Sequence, residues 1–255
     1  MSSLLKPDDE SADFRLQVRI SGWVRTSLLD FPGRVASTLF LPGCNFRCAY
    51  CHNPGLVAPP DHGSEELEDP EKILSYLDTY SRLLEGVCIT GGEPLLQPGL
   101  EGLCRAVRNL GLKVKLDTNG SLPEPLGRLL RQRLLDYVAV DIKGPPGKIA
   151  AVAGTGARED SLTQDVETTL GLLRQSGIPY ELRTTVVPGL LEREDLVAIG
   201  RWLKGAPRYF LQQFRPGRTL DPGLQNLEPY PPDYLKEIAA ELAGCFGQCT
   251  VRGIG

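Results

Sequence analysis

Six short runs rich in β-branched and apolar residues, RVASTLFL, GVCIT, LKVKLDT, YVAVDIK, YELRTTVV and RYFLQQF, are spaced by amphipathic helical patterns. Strands that alternate with helices in this way admit few architectures, because each crossover must lay its helix back on the sheet. The pattern predicts an α/β fold, an incomplete (β/α)6 barrel of parallel strands. Asp69-Pro70 opens one helix, Pro98 precedes another, and Gly111 stops it. A chain of 255 residues holds one large domain. We expect a flexible, solvated leader over residues 1–13 and a single domain over 14–255, with paired prolines marking loops at 58–63 and 143–148.

In parallel βα sheets, ligands bind at the carboxyl ends of the strands. Cys44, TGGEP (90–94), DTNG (117–120) and DIK (141–143) all fall at or just past such ends. Four polar or glycine-rich signals on one rim predict a site. In TGGEP, Gly91 and Gly92 allow close backbone approach and Glu93 can receive an ammonium group; a tight strand-to-helix turn is the plainer alternative. Period-two alternation in KVKLDTNG puts Lys113, Lys115 and Asp117 on one face, and charge inside a parallel sheet needs a reason.

The formal net charge of -4 offers no basic surplus for nucleic acid, and no apolar run approaches the roughly 20 residues of a membrane span. The N-terminus lacks the basic flank and apolar stretch of a secretory signal, so we expect a cytoplasmic protein. In that reducing compartment, three of the seven cysteines clustered as Cys44-x3-Cys48-x2-Cys51 point to metal or redox work before disulfides. Three thiolates so spaced can hold three irons of a cubane cluster and leave the fourth open. Zinc also uses C-x2-C pairs but wants four ligands, for which the other cysteines are poorly arranged. His52 could supply a fourth ligand, although a loop histidine is the simpler reading. Cys88 and Cys104 read as buried inert thiols, and Cys245 and Cys249 could face the same way on a helix.

The cysteine motif followed by GGEP resembles the radical S-adenosylmethionine superfamily. The stretch TSLLDFPGRVASTLFLPGCNFRCAYCHNPGLV (26–57) further resembles the activating enzymes of glycyl-radical proteins, above all those of anaerobic ribonucleoside-triphosphate reductases. The likeness runs from about Gly22 through RTTVVPG (183–189) and is loose thereafter.

The resemblance implies that Cys44, Cys48 and Cys51 hold a [4Fe–4S] cluster and that S-adenosylmethionine chelates its open iron. Reductive cleavage would give methionine and a 5′-deoxyadenosyl radical that takes hydrogen from a partner's glycine, with no catalytic residue beyond cluster and cofactor. Cofactor contacts would come from Gly91, Gly92, Glu93, Asp117, Asn119, Lys143, Arg183 and Arg215, and a monovalent cation could sit at Asp117, Thr118 and Asp141. Lys143 has an exposed loop lysine as its alternative, and Arg183 a structural ion pair. LQQFRPG departs from the histidine-bearing pattern of formate-lyase activases, leaving Arg215 or Gln213 there and arguing against pyruvate formate-lyase as the substrate. Between Cys51 and Pro70 there is no further cysteine, which implies one cluster. The implied partners are a glycyl-radical enzyme, an anaerobic ribonucleotide reductase, and an electron donor such as flavodoxin or ferredoxin, with no nucleic acid or membrane. Two rivals are a small-molecule enzyme such as a 7-carboxy-7-deazaguanine synthase, for which no aromatic or acidic pterin pocket is obvious, and a non-catalytic zinc-binding module.

Overall fold

The computed structural model describes residues 17–57 and 67–254, so the 1–13 leader and the 58–63 loop lie outside the described residues. Eight strands follow one another across a single sheet: β1 (Gly22–Ser27), β2 (Ala36–Leu41), β3 (Gly86–Gly91), β4 (Lys113–Thr118), β5 (Tyr137–Asp141), β6 (Tyr180–Val186), β7 (Arg208–Gln213) and β8 (Gln248–Arg252). β1 runs antiparallel to β2, and every later pairing is parallel. β1 and β8 end the strand order without pairing to each other, so the barrel is open. The sheet is curled: His52, just past β2, stacks on Phe214, just past β7, with ring centroids 6.0 Å apart.

The six predicted strands are β2 to β7. β1 and β8 escaped detection because GWVRTS and QCTVR are short, half polar and largely solvent-accessible, which weakens the apolar signal. β8 also corrects the reading of Cys245 and Cys249: Cys245 closes a one-turn helix, whereas Cys249 lies in the strand.

The helices are α1 (Pro70–Thr79), α2 (Leu100–Asn109), α3 (Pro123–Arg131), α4 (Ile149–Ala153), α5 (Glu159–Ser176), α6 (Arg193–Trp202) and α7 (Pro232–Leu242). Asp69 caps α1 by accepting the Glu71 N–H, with Pro70 in the first turn, where its missing N–H costs nothing. Among the described residues no helix is long and apolar enough to cross a membrane.

Alternation divides the strands into two faces. Val87, Ile89, Val114, Leu116, Val138, Val140 and Leu182 are fully buried against helix residues such as Leu77, Val107 and Val166. Each such side chain contributes about 1.5–3 kcal/mol through removal from water. The opposite face lines the barrel interior and is charged, which answers the puzzle posed by KVKLDTNG. Lys115 is 2% exposed and its ammonium donates to Cys88 Sγ (3.5 Å) and to Asp117. Lys113, at the start of β4, instead pairs with Asp136 at 3.0 Å. Lower in the barrel, Glu181 accepts from Arg252 (2.6 and 3.0 Å) and from the Tyr137 hydroxyl (2.8 Å). Phe31, Ala36 and Tyr137 form a separate apolar cluster at the strand starts. The fold therefore closes the base with apolar rings and leaves the polar end at the strand carboxyl termini.

Candidate active site

The loop after β2 carries all three clustered cysteines. Gly43, at φ +89°, turns the chain out of the strand, and its N–H donates to the Leu56 carbonyl at 2.8 Å. The next rim element locks onto it: Glu93 N–H donates to the Gly43 carbonyl at 2.8 Å. A Cβ on Gly92 would lie 2.1 Å from that same oxygen, so only glycine lets GGEP pack here. From the β4 end, Asn119 donates to Asn45 and Asn45 to Ser121, each at 2.8 Å. The cysteine loop is thus held before any metal arrives.

Cys44, Cys48 and Cys51 line one pocket of about 210 Å³ together with Gly91, Gly92, Asp117, Thr118, Asn119, Asp141 and Lys143. All seven cysteines are free. Burial pushes the Cys44 thiol up to about 11 and raises Cys48 as well, so metal ions would have to displace these protons. Among the described residues no three His, Cys, Asp or Glu side chains gather around one point as a single ion requires. Cys104 is fully buried in α2, its thiol raised to about 12 by burial, an inert group as expected. His52 lies against Phe214 on the pocket wall, and burial lowers its pKa.

Three predicted contacts do not line the pocket. Glu93 corrects the expectation of an ammonium receptor: it is 0% exposed, and its carboxylate accepts from Leu95 N–H (3.1 Å), Thr118 Oγ1 (2.8 Å) and Asn119 N–H (2.7 Å). Burial raises its pKa to about 7 against the pull of those donors. It is a tie between two strand ends, and the glycines beside it present backbone to the pocket. Arg183 takes the ion-pair alternative, donating through Nε to Asp141 at 2.8 Å and through a terminal nitrogen to Asp117 at 3.2 Å. Arg215 is exposed beyond β7, and Gln213 turns away to the Tyr230 carbonyl at 2.9 Å.

Lys143 does reach the pocket, 3.7 Å from Asp141 and 6.0 Å from the Tyr50 ring. Burial pulls its pKa down, but Asp141 together with Tyr50, Cys48 and Cys44 raises it above the ordinary lysine value, which keeps a cation beside the cysteines. Phe46, Tyr50, Val57 and Thr185 also line the pocket and were not anticipated, and Thr90 joins them from the TGGEP motif. Tyr50 had a signal, since it stands next to Cys51; Thr185 had none, because only the curl of the sheet brings β6 to the cysteine loop.

Asp141 also carries a pH prediction. Burial pulls the Asp141 carboxyl upward, but Arg183 and Lys143 prevail and hold it at about 2, below its ordinary 3.8. The stabilisation is complete above pH 3.8 and is lost as pH falls towards 2. Denaturant unfolding of the chain should show that loss, and Arg183→Gln should shrink it; an unchanged slope would refute the pairing.

The sequence profile of the Radical SAM superfamily matches residues 38–203. A Methanocaldococcus jannaschii protein provisionally named a glycyl-radical enzyme activating enzyme is 30% identical over 240 residues, covering 94% of this chain and 98% of its own. A pyruvate formate-lyase-activating enzyme of Clostridium pasteurianum is 28% identical over 232 residues (87% and 91%). A 7-carboxy-7-deazaguanine synthase of Methanopyrus kandleri is 34% identical, but over only 45% of this chain and 52% of its own. Among solved structures, a radical SAM methyltransferase from Sphaerobacter thermophilus shares the fold at a TM-score of 0.65 and 13% identity, covering 97% of this chain and 82% of that one. With three thiols on one rim, a glycine-built pocket beside them and this profile across the barrel, the chain is a member of the radical SAM superfamily, on its glycyl-radical-activase branch, and uses a [4Fe–4S] cluster and S-adenosylmethionine.

Proposed function

We propose that this chain installs a glycyl radical on an anaerobic ribonucleoside-triphosphate reductase. The observation that carries the radical chemistry is the pocket into which Cys44, Cys48 and Cys51 open beside Lys143, Asp141 and the GGEP backbone, while the reductase as target rests on the resemblance of residues 26–57. When bound there, the cluster and S-adenosylmethionine supply an electron to the sulfonium and a carbon-centred radical able to take a hydrogen atom. The chain's own residues do the holding. The three cysteines would ligate iron and leave one iron open; Gly91 and Gly92 would offer backbone to the cofactor's amino group, and the Lys143 ammonium would pair with its carboxylate. A monovalent cation belongs to the same reading, at Asp117, Thr118 and Asp141, where it would have to compete with Arg183 and Lys143 for those carboxylates.

The partner's glycine must reach the pocket, and His52 and Asn53, exposed at its wall, give a surface on which a protein loop can dock. The electron would come from a flavodoxin or ferredoxin. A small-molecule enzyme has less support, since its relative matches under half of this chain.

The test is anaerobic incubation of the reduced enzyme and S-adenosylmethionine with a candidate reductase and, separately, with a pyruvate formate-lyase. A glycyl-radical doublet by electron paramagnetic resonance in the reductase alone is the expected result. A doublet only with the lyase would reassign the partner, and none with either, despite cofactor cleavage, would favour a small-molecule substrate.

A further inference from the structure

Helix α4 has five residues, too few to hold together alone, yet Ile149, Ala150, Val152 and Ala153 are all buried. It is clamped at both ends. At its start, the Ile149 and Ala150 N–H groups both donate to the Glu159 carboxylate, each at 2.8 Å, and neighbouring Lys148 pairs with Asp195 at 2.6 Å. At its end, the Ala153 carbonyl accepts the Arg47 N–H at 2.9 Å and lies 3.6 Å from Cys48 Sγ. The following residue, Gly154, sits at φ +62°, and a Cβ there would come within 2.3 Å of the Arg47 carbonyl oxygen. Only glycine lets α4 press this closely on the cysteine loop.

The two neighbouring sulfurs therefore meet opposite dipoles. Cys44 Sγ accepts an N–H from Phe46 at 3.4 Å, whereas Cys48 Sγ faces a carbonyl oxygen. As a thiol, Cys48 donates its proton to that oxygen. As an iron-bound thiolate it has no proton to give, and the oxygen, kept in place by Arg47, turns its negative end to the sulfur in a buried setting. Hydrogen bonds and dipoles at the sulfurs are among the terms that set a cluster's potential. Negative charge beside Cys48 disfavours the added electron, and Lys143 on the pocket side partly opposes it.

We propose that α4 is a strut, clamped by Glu159 and seated through Gly154, which holds the Ala153 carbonyl against Cys48 and keeps the cluster strongly reducing. The proposal rests on the cluster reading but not on the identity of the protein partner. Its residues are positioning residues: they press on the cysteine loop and do not line the pocket.

The experiment compares wild type, Glu159→Ala and Glu159→Gln as full-length, anaerobically reconstituted proteins, scoring iron per chain and the reduced fraction in a redox titration followed by electron paramagnetic resonance. Glu159→Ala should keep its iron and raise the reduced-to-oxidised ratio at least threefold at a potential where wild type is about one-tenth reduced. Glu159→Gln, which keeps one acceptor oxygen, should give about a twofold rise and decides the matter should the alanine variant lose iron. Unchanged ratios with iron retained would overturn the strut while leaving the cluster intact. A wild-type protein that takes up no iron would overturn both.

Discussion

Cys48→Ala should yield a folded protein that loses the brown absorbance of the cluster and all S-adenosylmethionine cleavage, and Cys44→Ala and Cys51→Ala should do the same. The expected loss is complete rather than graded, because a cubane deprived of one of three protein thiolates has a second uncovered iron, and no further cysteine lines the pocket to replace the sulfur. Cys88 is out of reach on the inner face of β3, held against Lys115, and Cys104 is sealed in α2. Cys104→Ala is the matched control: it removes a buried sulfur and costs some packing, but iron content and cleavage should stay at wild-type levels. Cleavage retained in Cys48→Ala, or lost in Cys104→Ala, would refute the ligand assignment.

Glu93→Ala should lower the melting temperature of the chain before any cofactor is added. The substitution strands the Leu95 and Asn119 N–H groups and the Thr118 hydroxyl in a place with no exposed surface. An unsatisfied buried donor costs about 1–3 kcal/mol, so three amount to roughly 3 kcal/mol or more. For a domain of this size that is on the order of 6–12 °C. Cofactor affinity should fall with it, because the tie joins the GGEP turn to the DTNG turn and both line the pocket. Glu93→Gln retains one good acceptor and should fall between. Calorimetry separates the alternatives: were Glu93 a receptor for the cofactor's ammonium, Glu93→Ala would leave the unliganded melting point in place and change only binding.

The sequence by itself determined much of this protein. Alternating apolar runs specified parallel βα units because each buried strand must be apolar on its helix-facing side, and strand polarity placed Cys44, TGGEP, DTNG and DIK on one rim. The cysteine spacing is local, within eight residues, so it survives any uncertainty about long-range packing. What only the tertiary structure decided are the relations between strands. Sequence placed Glu93 beside a ligand because a carboxylate next to paired glycines looks available; the fold aims it inward at Thr118 and Asn119. Arg183 looked like a cofactor contact until the register of β5 and β6 set it opposite Asp141. β1 and β8 carry too little apolar periodicity to be recognised before a partner strand supplies their hydrogen bonds. Ala153 and Gly154, more than a hundred residues from Cys44, have no motif at all; their place against Cys48 arises from the curl of the sheet and the Glu159 clamp, which are properties of packing rather than of any short stretch of chain.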